Sequence, residues 1–291
     1  SELVTFPSIE SARESIIEKE VDSVIRESHI SHFNWMEKRF DMPLRKDLTI
    51  WPIFVEITER RNLFVHRDGI TSRQYFSMCK KEGFVLNESL KVGDELHVTK
   101  EYFDKAVDCI LEVGVKLGHV LWRKLQPDQI EMADNALHTT SFYFLSDQRY
   151  SITKTLLSFA INTLKKQSSD STRRMNLINL TIAHYLTGSK DDAKKIIENE
   201  DWSACQDKFK LAVAVLQEKY SEASNIMLKI GTKGDIKSED YASWPLFKIF
   251  RETKEFLTTY KKLFGKDFVL PKKEINNVLS LADKIPTSNP I

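Results

Sequence analysis

Through most of the chain apolar residues recur at helical rather than alternating spacing. Ile9, Ala12, Ile16, Val24, Ile25 and Phe33 follow the period of one helix face. They predict a single helix over residues 8–39, N-capped by Ser8 and stopped at Met42-Pro43. A second helix is expected from about Thr49, with Pro52 tolerated in its first turn and Gly69 placed to end it. Phe54, Ile57, Phe64 and Val65 supply its apolar positions. Thr71-x-x-Gln74 reads as a capping box that opens a third helix to about Lys81. Residues 83–98, with Gly83, Gly93 and Asp94 and alternating Val92, Leu96 and Val98, predict an extended excursion or small hairpin. Thr99 then caps a strong helix to about Leu125, with Phe103, Ala106, Val107, Ile110, Val113, Leu117 and Leu121 on one face.

Gln126-Pro127-Asp128 breaks this pattern and marks the expected boundary between a domain of residues 1–126 and one of 127–266. Beyond it the helices shorten and pair. Segments 179–198 and 209–228 match at an offset of 30, so that Leu186, Ala193 and Ile196 correspond to Leu216, Ala223 and Ile226. A looser copy runs through Phe144, Tyr150, Thr153 and Leu156. Stacked helical hairpins need small residues where helices cross and a large one before the turn. The pattern resembles tetratricopeptide-type repeats, although it departs from their consensus in period and aromatic positions; an irregular helical bundle is the alternative. Residues 267–291, with three prolines and little periodicity, read as a tail. The expected fold class is all-α.

Composition agrees with that class. The 291 residues are 41% apolar and 29% charged, which excludes wholesale disorder, and only 9 Gly and 8 Pro argue against a turn-rich β protein. A formal charge of +1 gives no global signal for nucleic acid. Cys79, Cys109 and Cys205 lack CxxC spacing, consistent with reduced, packed thiols. No apolar run is long enough to span a bilayer, and no signal-peptide pattern opens the chain. The expected location is therefore the cytoplasm, without membrane contact.

The candidate chemistry lies in Arg60-Arg61-Asn62-Leu63-Phe64-Val65-His66-Arg67-Asp68-Gly69, at the expected end of the second helix. Arginine can hold a phosphate with paired N–H donors, and histidine moves protons near neutral pH. Spacing alone carries little, because on the order of 0.3 such Arg-x4-His pairs would arise by chance in a chain of this composition. Asn62 and His66 stand four residues apart and share a helix face, whereas Arg61 lies roughly 140° from His66. A two-fold partner could join them. The same residues would also suit an ordinary exposed helix C-terminus, where cations favour the dipole.

This run, set between long helices in a domain of about 125 residues, resembles the HEPN family. That family's signature is an Arg, usually followed by a polar residue, with a His four to six residues after the Arg; Arg61, Asn62 and His66 match these positions. The resemblance covers under half of the chain. It implies a helical bundle that dimerises through the motif helices and, in many members, a metal-independent ribonuclease of bacterial defence or toxin type. Other members are inactive dimerisation modules. His66 would move protons, Arg61 would hold the phosphate and Asn62 would orient either one, with no cofactor and no metal. Arg60 and Arg67, with Arg45 and Lys46, could form a basic rim for RNA, although ordinary solvated charges are the commoner outcome for such residues; the C-terminal hairpins would engage a protein partner or position substrate. Many toxin members carry an aromatic shortly after the His, where this chain has Arg67-Asp68.

Three other features are weaker. His29-x-x-His32 has one-turn spacing that could begin a metal site, but no carboxylate or Cys pattern completes it. Gly114-x-x-x-Gly118 reads as a helix-packing feature. The chain lacks a phosphate-cradling glycine loop, HExxH and GxSxG, which weighs against NTPases, zincins and serine hydrolases.

Overall fold

A computed structural model describes residues 6–270, apart from Asp47. Residues 271–291, most of the expected tail, lie outside the described residues. The described chain is all-helical, with one isolated antiparallel bridge between Ile70 and Glu95 and no strand. It divides into two compact units, residues 1–137 and 138–291.

In the first unit, the helix expected over residues 8–39 is two helices, α1 (Ile9–Ile25) and α2 (His29–Phe40). The apolar period runs through the junction, but Ser28 adopts extended dihedrals and its hydroxyl accepts the Ser31 amide, so a new N-terminus begins there. The third helix, α3 (Trp51–Arg67), starts after Thr49 and Ile50 and carries Pro52 in its first turn. Asp68, in the left-handed region, caps α3, and the Gly69 N–H also returns to the Leu63 carbonyl. Gly69 itself has φ +81, and an added Cβ would lie 2.9 Å from the Phe64 ring. Both dihedral and space therefore require glycine at this exit.

α4 (Arg73–Lys81) is capped by Ser72, one residue after the expected box. Thr71 instead donates its hydroxyl to the Lys91 carbonyl, pinning the loop that follows α4. That loop, expected as an extended excursion or small hairpin, has no strand pairing beyond the Ile70–Glu95 bridge. α5 (Lys100–Leu125) begins at its Thr99 cap as expected, but the edge of the face it buries is shifted. Ala106, Cys109 and Val113 are buried, while Phe103 and Ile110 are 59% and 51% exposed. Cβ atoms at Gly114 and Gly118 would meet nothing within 4 Å, so neither glycine serves a packing contact among the described residues. The buried face joins Ile30 and Phe33 of α2 and Trp51, Phe54 and Val55 of α3 in one core.

Pro127 opens a short 3-10 turn before α6 (Ile130–Ser146), within which the division between units falls. Then come α7 (Tyr150–Ser158), α8 (Asp170–Leu186), α9 (Lys190–Glu198), α10 (Asp207–Leu216) and α11 (Tyr220–Ile230). Three of the turns are built alike. Gln148, Gly188 and Glu218 each take positive φ. The amides that follow, of Arg149, Ser189 and Lys219, each bond to the carbonyl five residues back, on Phe144, His184 and Ala214. Thr153, Ala193 and Ala223, four residues after these amides, are all buried. A small side chain there lets each pair of helices close. Smaller helices α12 (Ser238–Ser243), α13 (Phe247–Phe250) and α14 (Lys254–Phe264) complete an aromatic core around Tyr241, Phe250 and Phe256. Phe268, at the start of the expected tail, packs against Tyr260 with ring centroids 5.0 Å apart.

Candidate functional site

The motif residues occupy the last two turns of α3, on a helix whose other side is fixed by the core. Leu63 is buried there, while Arg61, Asn62, His66 and Arg67 are exposed. Arg61 Nη1 donates to Asn62 Oδ1 at 3.2 Å, joining the first two motif residues directly. His66 is one turn beyond Asn62 and equally accessible. No hydrogen bond holds its ring among the described residues. Val65, between them, is 56% exposed, an apolar side chain on an otherwise polar surface.

Arg60 and Arg67, both expected at an RNA rim, have different settings. Arg60 turns inward: its Nε donates to Glu56 Oε1 at 2.6 Å, and its guanidinium lies 4.1 Å from the centroid of the Tyr102 ring. Glu56 is 1% exposed and also accepts the hydroxyls of Tyr75 at 2.7 Å and Tyr102 at 2.9 Å. Four polar groups from α3, α4 and α5 thus satisfy one another, as a buried carboxylate requires. Burial, reinforced by the Glu56 charge, pushes both phenols far above their ordinary range. Arg45 is likewise engaged, by Glu37 and by Asn34 Oδ1 at 2.6 Å.

Of the two histidines of α2, His29 approaches the motif. His32 Nε2 bonds to the Val24 carbonyl at 2.8 Å and so ties α2 to the end of α1. His29 stands edge-on to Phe54 of α3, with centroids 5.7 Å apart. Burial lowers the His29 pKa below the usual imidazole value, and the charges of His32 and Arg61 lower it further. Arg61 therefore has an imidazole from another helix within electrostatic reach. Sequence reasoning placed this histidine only in an incomplete metal pattern. Among the described residues no group of three or more His, Cys, Asp or Glu side chains could hold a metal ion. The buried thiols of Cys79 and Cys109 are pushed up to about 12 by desolvation.

No family model matches the chain, and neither do any curated protein or any solved structure. No helix among the described residues is long and apolar enough to cross a membrane.

Proposed function

We propose that the protein is a metal-independent endoribonuclease of HEPN type that works as a dimer. The observation that carries this reading is the Arg61–Asn62 hydrogen bond with His66 one turn away on the same exposed end of α3. The chemistry asked of these groups is within their means. Arg61 would bind the scissile phosphate and offset the charge that builds on it. An imidazole would take the ribose 2′-OH proton as O2′ attacks phosphorus, and another would protonate the departing O5′. The products are a 2′,3′-cyclic phosphate and a 5′-hydroxyl. His66 of the two protomers would supply both imidazoles if the α3 ends meet across a two-fold axis, and Val65 gives that meeting an apolar contact. DNA, which lacks the 2′-OH, should persist.

The test compares wild-type and His66→Ala protein on a mixed RNA substrate, with a single-stranded DNA control. Cleavage of RNA alone, lost in the variant, is expected. Equal cleavage by both proteins would remove the enzymatic reading.

A second reading, a non-catalytic interaction protein, is favoured by one observation. The unit that carries the motif is acidic: residues 1–137 hold 19 basic against 24 acidic side chains. It also exposes Phe103 and Ile110 on α5 and several isoleucines on α1. Such surfaces suit a protein partner better than a polyanion. The C-terminal unit offers a partner a groove of about 410 Å³ lined by Tyr185, Lys190, Lys194, Leu216 and Glu218. If His66→Ala keeps full biological activity, this second reading replaces the first.

A further inference from the structure

The first turn of α2 brings His29 to the side of α3 that carries Arg61. Phe54, against which the His29 ring packs, and Arg61 are seven residues apart on α3, two turns along the same face. Helical side chains lean toward the N-terminus, so the long Arg61 side chain reaches back toward Phe54 and the imidazole beside it. His66 lies roughly 140° around α3 from Arg61. Within one protomer, therefore, only the His29 imidazole stands on the Arg61 side of α3, and a His66 that reaches the same phosphate comes from a two-fold partner.

We propose that His29 is the base partner of Arg61 within one protomer, acting on a ribose 2′-OH whose adjacent phosphate is held by Arg61. This rests on the ribonuclease reading and changes how that site is built. His29 accepts the 2′ proton as the O2′–P bond forms; His66 supplied by a two-fold partner donates a proton to O5′ as the P–O5′ bond breaks. Proton exchange with water resets both rings, and no redox partner or further reactant is needed. The assignment uses three properties of His29. Its ring reaches solvent, and neither ring nitrogen has a hydrogen bond among the described residues, unlike His32, which is tied to Val24. It is held orthogonal to its neighbour by the edge contact with His32 at 5.5 Å and by Phe54. Burial is the largest influence on its protonation, followed by His32 on its own helix and Arg61 on α3, and all three favour the neutral ring. A location in the first turn of a helix also disfavours an imidazolium. Docking a phosphate on Arg61 would cancel part of that opposition and so ease proton uptake at the moment it is required.

Two measurements on the full-length protein test this. The first is RNA cleavage under single turnover from pH 5 to 8 by wild type, His29→Gln and His66→Ala, with melting curves to verify folding. His29→Gln should lower the maximal rate about 100-fold, the scale of one general base. It should also flatten the acidic limb of the pH profile and leave the apparent substrate affinity little changed. The second follows the His29 ring by NMR with inorganic phosphate as probe. Phosphate should raise its titration midpoint in wild type and not in Arg61→Gln. Unchanged cleavage by His29→Gln beside an inactive His66→Ala would overturn the His29 assignment and leave the ribonuclease standing. A midpoint indifferent to phosphate would overturn it too, even if His29→Gln failed to fold. RNA left intact by wild type would remove both proposals.

Discussion

The two units solve the same helical problem differently. The C-terminal unit repeats one local device: a positive-φ residue, a five-residue amide return and a buried small residue, at Gln148, Gly188 and Glu218 in turn. Its core is contiguous, and its balance is basic, with 24 Lys and Arg against 18 Asp and Glu over residues 138–291. The N-terminal unit also has the positive-φ residue and five-residue return, at Asp41–Met42 and Gly83–Phe84, but with exposed Lys46 and Glu88 where the other unit buries a small residue. It joins long helices through irregular loops, buries a four-group polar network around Glu56, and leaves large apolar side chains of α1 and α5 uncovered. A repeated turn spreads stability over many equivalent contacts. A single network concentrates it in one place and fixes α3 in register, which is the helix that presents Arg61, Asn62 and His66.

The sharpest way to break this comparison is to remove the network. Glu56→Ala strands the Arg60 guanidinium and two phenols and should cost about 3–5 kcal/mol. Urea unfolding should show an early transition for the N-terminal unit, while the aromatic signals of Trp202 and Trp244 in the other unit keep their own. Loss of both together would mean that the units do not stand independently.

A smaller effect is expected at Gly69. Gly69→Ala forces a side chain into φ +81 against Phe64 and Leu96, and should destabilise the unit by roughly 1–3 kcal/mol. Its opposite is Gln148→Gly in a repeated turn, where a strained residue is replaced by one that suits the dihedral. That change should be neutral to stabilising by about 1 kcal/mol in the melting curve.

Acid should expose a shared weakness. Burial, the largest cause in each case, lowers the pKa of His119 in one unit and of His138 in the other. Arg123 lowers His119 further, whereas Asn176 partly opposes the shift at His138. Below the usual imidazole value of 6.5 the unfolded chain binds protons that the folded chain resists, so stability falls with pH there and levels off above it. The slope should not exceed about 1.4 kcal/mol per pH unit for each histidine. Denaturant titrations at pH 7.5 and 5.5 would measure it. His138→Gln should reduce the slope in the C-terminal unit alone.

Much of this was readable in the sequence where the chemistry is local. The Thr99 cap, Pro52 in a first turn and the Ala193–Ala223 correspondence all follow from neighbouring residues. The break at Ser28 was hidden because the apolar period continues across it. The edge of the α5 face was hidden for another reason: Phe103, Ala106, Ile110 and Val113 all obey the helical period, and only packing decides that Ala106 and Val113 are buried with Cys109 while Phe103 and Ile110 stay exposed. At the site, Arg61, Asn62 and His66 stand out as a motif. The inward turn of Arg60 was foreshadowed by Glu56 four residues earlier, whereas the approach of His29 depends on how α2 crosses α3, which no spacing reports.

The most direct test of the central claim is the chemistry of the RNA ends left by the purified protein. The account predicts 2′,3′-cyclic phosphate and 5′-hydroxyl ends from wild type without added metal, and intact RNA from His66→Ala. Fragments with 5′-phosphate ends, or the same fragments from both proteins, would contradict it.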